Sequence, residues 1–135
     1  MKTVLFVCVH NAGRSQMAEA FFNHLARGKA QAISAGTMPG DQVQPEVVQA
    51  MAEVGLDLSR QRPKRLTSPM IQAADHIVTM GCGTEGVCPA LFVPTEDWGL
   101  EGPKGQPIEK VRLIRDEIRR RVEALLAEIG TQGPS

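Results

Sequence analysis

The sequence predicts an α/β protein in which a four-stranded parallel sheet forms the middle of three layers, with helices on both faces. Two observations carry this expectation. Short continuous apolar runs such as Val4-Leu5-Phe6-Val7 suit a parallel strand buried on both sides, and they alternate with segments whose apolar residues recur every three to four positions. Strands and helices that alternate in this way pair in parallel through crossovers, which lay helices on both faces of the sheet.

Each element has its own signal. Strand one is Val4 to Val7, and from about Gln16 the period turns helical, with Met17, Phe21, Phe22 and Leu25 on one side and Gly28 as the stop. Ala32 to Ala35 reads as the second strand. Pro45 opens a helix carrying Val47, Val48, Met51 and Ala52, which Gly55 ends. Thr67, Ser68 and Pro69 start another, through Met70, Ile71 and Ala74, and His76 to Met80 is the third strand. The glycine-rich loop Gly81 to Val87 precedes a fourth strand at Leu91-Phe92-Val93, closed by Pro94. Thr95 to Pro107 has no periodicity and several Gly and Pro, so it is expected to be a surface loop. The last helix is marked by Val111, Ile114, Ile118, Val122, Leu125 and Ile129 and ends at Gly130, with Arg119, Arg120 and Arg121 on a solvated face. Residues 1–130 are expected to form one domain and residues 131–135 a flexible tail.

A chain of 135 residues can bury a core without disulfide staples or a structural metal. Lys plus Arg equals Asp plus Glu at 15 each, so no basic field argues for nucleic acid or an anionic membrane, and a neutral surface fits a monomer. No apolar run is long enough to span a bilayer, and Met1-Lys2-Thr3 leads into a strand rather than a signal peptide; the cytoplasm is the expected location. The 3 cysteines are an odd count, better suited to catalysis or redox chemistry than to a disulfide framework.

The most informative stretch is Cys8-Val9-His10-Asn11-Ala12-Gly13-Arg14-Ser15, between strand one and its helix. Five residues between Cys8 and Arg14 let the loop curl with backbone N–H groups inward, while the Arg14 guanidinium grips an oxyanion bidentately. Val9, His10, Asn11, Ala12, Gly13 and Arg14 are thus the candidate oxyanion-binding residues. The positive end of the following helix points at the same place. Donors and dipole together favour a thiolate, so Cys8 is the candidate nucleophile at neutral pH. A merely structural cysteine at a strand end would not call for Asn11, Gly13 and Arg14 around it.

Ligands of such sheets bind outside the carboxyl ends of the strands, which brings the loops after strands one and three to one edge and lets Cys8 and Cys82 approach. Cys82 and Cys88 bracket Gly-Thr-Glu-Gly-Val, a segment with little to hold it rigid. Their spacing is not Cys-x-x-Cys, and His10, His24 and His76 form no ligand pattern, so neither a metal nor a cofactor is expected. A relay of thiols fits better: one attacks the substrate, a second resolves it and a third moves the disulfide outward.

The run VLFVCVHNAGRSQMAE, the SAG at Ser34 to Gly36, the VTMGC at Val78 to Cys82 with Cys88-Pro89, and IRDEI at Ile114 to Ile118 together resemble the arsenate reductases built on the low-molecular-weight tyrosine phosphatase fold. The resemblance covers nearly the whole chain. It implies that Cys8 attacks arsenate, Cys82 attacks Cys8 to release arsenite, and Cys88 takes over the bond. It also implies that the Ser15 hydroxyl donates to the nucleophilic sulfur, beside a possible role as helix N-cap. Many relatives carry an Asp-Pro late in the chain whose aspartic acid protonates the leaving oxygen. Here the pair reads Gly102-Pro103, and Glu101, ahead of Asp97, is the nearest substitute. Asn11, Glu19 and Ser34 correspond to a monovalent-cation site in some relatives, whose aspartate position is Lys64 here. An ammonium in place of the ion would pair with Glu19 beneath the loop; a solvated Lys64 is the alternative.

Arsenate shares the shape and charge of phosphate, so a phosphate cradle accepts it, and only the added thiols separate a reductase from a phosphatase. The rival readings are a phosphotyrosine phosphatase and a thiol-based sensor of arsenite. Against the first, the chain has no tyrosine, and the loop after Cys88 offers only Trp98 as an aromatic wall for a phenyl ring. Against the second, neutral arsenous acid needs neither Arg14 nor an anion loop. The reductant is left open between thioredoxin and a low-molecular-weight thiol with a glutaredoxin-like partner.

Overall fold

A computed structural model describes residues 2–8, 10–80, 95–98 and 105–129. The elements run β1 (Lys2–Cys8), α1 (Arg14–Ala26), β2 (Ala30–Gly36), α2 (Pro45–Ala52), α3 (Ser68–Ala73), β3 (His76–Thr79), β4 (Thr95–Asp97) and α4 (Ile108–Glu128). The strands form one parallel sheet in the order β2-β1-β3-β4.

Strand β1 is central, and alternation of its side chains builds the two outer layers. Val4, Phe6 and Cys8 face a cluster formed with Met17, Phe21 and Phe22 of α1, Val47 and Met51 of α2, and Val111, Ile118 and Val122 of α4. Leu5 and Val7 face the other way, onto Ala35, Ala74 and Ile77, with Leu66, Met70 and Ile71 against them. Because both faces are covered, the strand carries no polar alternation, which is why its sequence is an unbroken apolar run.

The helix signals act as expected from their chemistry. Arg27 caps α1 in the left-handed region (φ 52) and Gly28 follows at φ 82; Pro45 opens α2, and Gly55 turns the chain after it at φ 84. The Thr67 side chain accepts from Met70 N at the start of α3.

Two expectations are corrected. Thr95 to Asp97 is not surface loop but β4, paired to β3 in the register Ile77 with Thr95, Val78 with Glu96 and Thr79 with Asp97. Three polar residues bear no strand signal of their own; the exposed ladder of β3 supplies the pairing. Trp98 then turns into the core, 3% exposed, its ring 5.6 Å from that of Phe6, which also meets Phe22 edge-on at 6.0 Å. It therefore offers no wall to a ligand. The strand expected at Leu91 to Val93, the loop from Gly81 and the tail lie outside the described residues.

Arg115 was not among the expected core positions, although it follows Val111 by four and precedes Ile118 by three and so lies on the apolar stripe of α4. The residue is 9% exposed; its guanidinium donates to Ala50 O and Glu53 Oε1, and Arg112 grips the same carboxylate at 2.7 Å, so Glu53 ties the end of α2 to α4. Arg119, Arg120 and Arg121 lie toward solvent, and their partners are Glu123 and Glu117 on the same helix.

Phe6→Ala removes the ring shared by Phe22 and Trp98, and urea unfolding should show a loss of about 3 to 5 kcal/mol. Hydrogen bonds from Arg112, and then from Arg115, hold the Glu53 carboxyl below its ordinary value of 4.5 against an opposing desolvation. A folded-state value below the unfolded one stabilises the fold above the ordinary value, and that contribution is lost as pH falls through the folded one. Glu53→Gln should therefore flatten the acid limb of the melting-temperature profile, with the difference from wild type largest at neutral pH.

Candidate active site

The carboxyl end of β1 is where the sheet reverses: β2 leaves on one side and β3 lies on the other. Such switch points leave a crevice beyond the strand ends. Cys8, the last residue of β1, stands there, 3% exposed. The loop after β2 braces the next turn from behind. Thr37 N donates to Cys8 O (3.2 Å), Gly40 N to His10 O (2.9 Å) and Gln44 N to Ala12 O (2.9 Å). His10 Nδ1 lies 3.1 Å from the Met38 carbonyl, which only accepts, so Nδ1 carries the hydrogen.

Around the sulfur the hydrogen bonds have one consistent direction. Asn11 Oδ1 accepts from Lys64 N (2.8 Å) and from Gln16 Nε2 (3.0 Å), which turns its amide nitrogen to Ser15 Oγ at 2.8 Å. Ser15 Oγ accepts there, which keeps its own hydrogen available for Cys8 Sγ, also at 2.8 Å. Asn11 N donates to the same sulfur at 3.1 Å. The sulfur thus has a backbone N–H donor and a serine hydroxyl within hydrogen-bond reach. Asn11 adopts φ 52 here, a left-handed conformation that asparagine takes more readily than most residues.

Helix α1 begins directly at Arg14, with Gly13 in the N-cap position and no side-chain cap, so Ser15 is not the N-cap and its hydroxyl serves the sulfur instead. No acidic residue stands in the first turn to offset the positive end of the helix. Arg14, half-buried, is the first residue of α1 and lies beside this loop. Of the expected cradle residues, His10, Ala12, Gly13 and Arg14 surround the site, whereas the Asn11 side chain turns inward as a support and Val9 lies outside the described residues.

Glu19 Oε1 accepts from Ser34 Oγ at 2.6 Å and from Lys64 Nζ at 3.3 Å, beside the contact of Lys64 N with Asn11. Lys64 is thus paired with Glu19 while its side chain stays partly in solvent, and its backbone is held to β2 by Gly36 N at 2.7 Å. Among the described residues no three His, Cys, Asp or Glu side chains come together as a metal site. Cys82, Cys88 and Glu101 lie outside the described residues, as does the side chain of Asp97.

Gln16 had no sequence signal beyond its place at the helix start, yet it is buried and reaches Asn11 and Arg62. Its polar side chain on the inner side of α1, between Ser15 and Met17, is the mark that could have singled it out.

A buried cysteine at the head of an arginine-bearing loop, at the switch point of a parallel sheet, is an arrangement that suits a phosphatase-like enzyme. Residues 3–135 match the low molecular weight phosphotyrosine protein phosphatase family, to which the chain belongs. Among its relatives is the glutaredoxin arsenate reductase of Synechocystis sp., 39% identical over 134 residues, spanning 96% of this chain and 99% of that protein. A solved structure described as an arsenate reductase in the phosphate binding state superposes with a TM-score of 0.86 at 38% identity, covering 96% of this chain and all of that one (100%). The thioredoxin-dependent arsenate reductase of Corynebacterium glutamicum superposes at 0.83 with 39% identity over 98% of this chain, which spans 64% of that longer one.

Ser15→Ala should leave Cys8 with the Asn11 N–H as its remaining donor of the pair. Loss of a hydrogen bond to a charged acceptor predicts an alkylation rate of Cys8 at neutral pH lower by about tenfold or more, read by ultraviolet difference absorbance.

Proposed function

We propose that this protein reduces arsenate to arsenite, with Cys8 as the nucleophile and Cys82 and Cys88 as the resolving thiols. The observation that carries the reading is the pair of donors, Ser15 Oγ and Asn11 N, trained on Cys8 Sγ beside Arg14. A family whose members include arsenate reductases supports the choice of substrate. The Cys8 thiolate attacks arsenic(V), and an arsenate oxygen leaves as water on taking a proton, for which Glu101 is the proposed donor. Cys82 then attacks the Cys8 sulfur. The arsenic–sulfur electron pair stays on arsenic, arsenite departs, and a Cys8–Cys82 disulfide remains. Cys88 attacks Cys82 in turn, freeing Cys8 and leaving a Cys82–Cys88 disulfide for an external reductant.

Arg14 and the backbone N–H groups of residues 9–14 bind the oxyanion, and the ammonium of Lys64, at Glu19 and Ser34, stands where a cation would sit beneath the loop. The reductant is thioredoxin or a low-molecular-weight thiol with a glutaredoxin-like protein; its relatives include a glutaredoxin arsenate reductase and a thioredoxin-dependent one. We place the protein in the cytoplasm as a monomer, with the tail and domain bounds given above; no described helix is long and apolar enough to cross a membrane. The phosphotyrosine phosphatase reading is weakened by Trp98, whose ring packs on Phe6 and is closed to a substrate phenyl group.

Arsenite production driven by thioredoxin and its reductase, compared with a low-molecular-weight thiol system, tests this. Cys8→Ser should abolish turnover with either, and Cys82→Ser and Cys88→Ser should abolish the thioredoxin-driven reaction while leaving any phosphate-ester hydrolysis intact. No arsenite from wild type with either reductant would reject the activity; equal loss of ester hydrolysis in Cys82→Ser and Cys8→Ser would reject the division of labour.

A further inference from the structure

Gln16 is 1% exposed at the third position of α1. Its Nε2 lies 3.2 Å from Asn11 O, 3.0 Å from Asn11 Oδ1 and 3.1 Å from Arg62 O. All three are acceptors, so the amide is held with its nitrogen toward them. The consequence is a buried Oε1 with no hydrogen-bond partner among the described residues. Filling space does not account for that. An apolar side chain of the same volume would fill the position without stranding a buried acceptor, so the amide is explained by what its nitrogen does.

We propose that Gln16 is a positioning residue for the Cys8 nucleophile, acting through Asn11. It grips Asn11 at both its carbonyl and its side chain, and so holds the left-handed turn (φ 52) that aims Asn11 N at the sulfur. It also supplies one of two donors that fix the orientation of the Asn11 amide. Weakened there, the amide can present Oδ1 to Ser15 instead. The serine hydrogen would then turn to Asn11, and Cys8 would lose its O–H donor. Through Arg62 O the same amide ties the sulfur's surroundings to the segment leading to Lys64. Ser15 and Asn11 touch the sulfur; Gln16 sets how they do.

The inference rests on Cys8 being the nucleophile proposed above, and alkylation reads that sulfur without arsenate, so the two readings can fail separately. Iodoacetamide labelling of the full chain, with the Cys8 peptide followed by mass, is compared among wild type, Gln16→Met and Gln16→His. Gln16→Met, of similar volume with no donor, should slow Cys8 labelling at neutral pH by about tenfold, as for the loss of one hydrogen bond to a charged group. Binding of inorganic phosphate should change by no more than about twofold, because Arg14 and the loop N–H groups are retained. Gln16→His keeps one N–H and should recover part of the rate. Wild-type labelling in Gln16→Met, whatever its melting temperature, would overturn the proposal, as would equal slowing in both variants. Should Gln16→Met not fold, Gln16→His against wild type decides: a slower rate is expected, and an equal one refutes it.

Discussion

The hydrogen-bond direction of one side chain, Asn11, is what the rest of the site depends on. Its Oδ1 receives two donors, which leaves its nitrogen for Ser15, and Ser15 is thereby left with its hydrogen for Cys8. Turning the Asn11 amide over would set its nitrogen against two donors, Lys64 N and Gln16 Nε2. In a buried setting that is costly, and the low local polarity strengthens a consistent chain of hydrogen bonds as much as it penalises a broken one. The surroundings of the sulfur are thus set by the network rather than by the cysteine alone.

The fold supplies what the network cannot make for itself. Cys8 ends the central strand, gripped on one side by β2 and on the other by β3, so its backbone has little freedom. Helix α1 starts within the loop and packs on the sheet through Met17, Phe21 and Phe22, which fixes the direction of its positive end. The segment after β2 closes the loop from behind through Thr37, Gly40 and Gln44, and Lys64 reaches it from the strand-like stretch beside Gly36. Each support comes from a different part of the chain. In the proposed reading, a backbone braced in this way would hold the N–H groups in place before an oxyanion arrives.

Lys64 illustrates how a local charge serves a buried site. Its ammonium pairs with Glu19 at the rim, side chains 37% and 16% exposed, a setting in which the pair itself adds little stability. Its backbone N–H, by contrast, donates to the buried Asn11 oxygen. The ion pair and the Ser34 hydroxyl bond hold Lys64 and Glu19 in register, so a weak surface interaction keeps a strong interior one in place.

Much of this protein was legible before its structure. Buried parallel strands must be continuously apolar, which exposed β1 and β3, and helix ends need residues such as Gly28, Pro45 and Thr67, which exposed α1, α2 and α3. The Cys8 to Ser15 run was legible as a strand end followed by a helix start, and Cys8 does end β1 while Arg14 opens α1. What sequence alone could not determine was pairing and orientation. Strand β4 is polar and exists because the edge of β3 has unpaired backbone groups. Trp98 is core rather than wall because Phe6 and Phe22 leave room for its ring. Gln16 and Arg115 are polar residues on helices, and only the packed chain shows the carbonyls and carboxylate that they meet: Asn11 and Arg62 for the first, Ala50 and Glu53 for the second. Periodicity records which way a side chain faces; the partner waiting there comes from distant sequence, and it is decided by the tertiary structure alone.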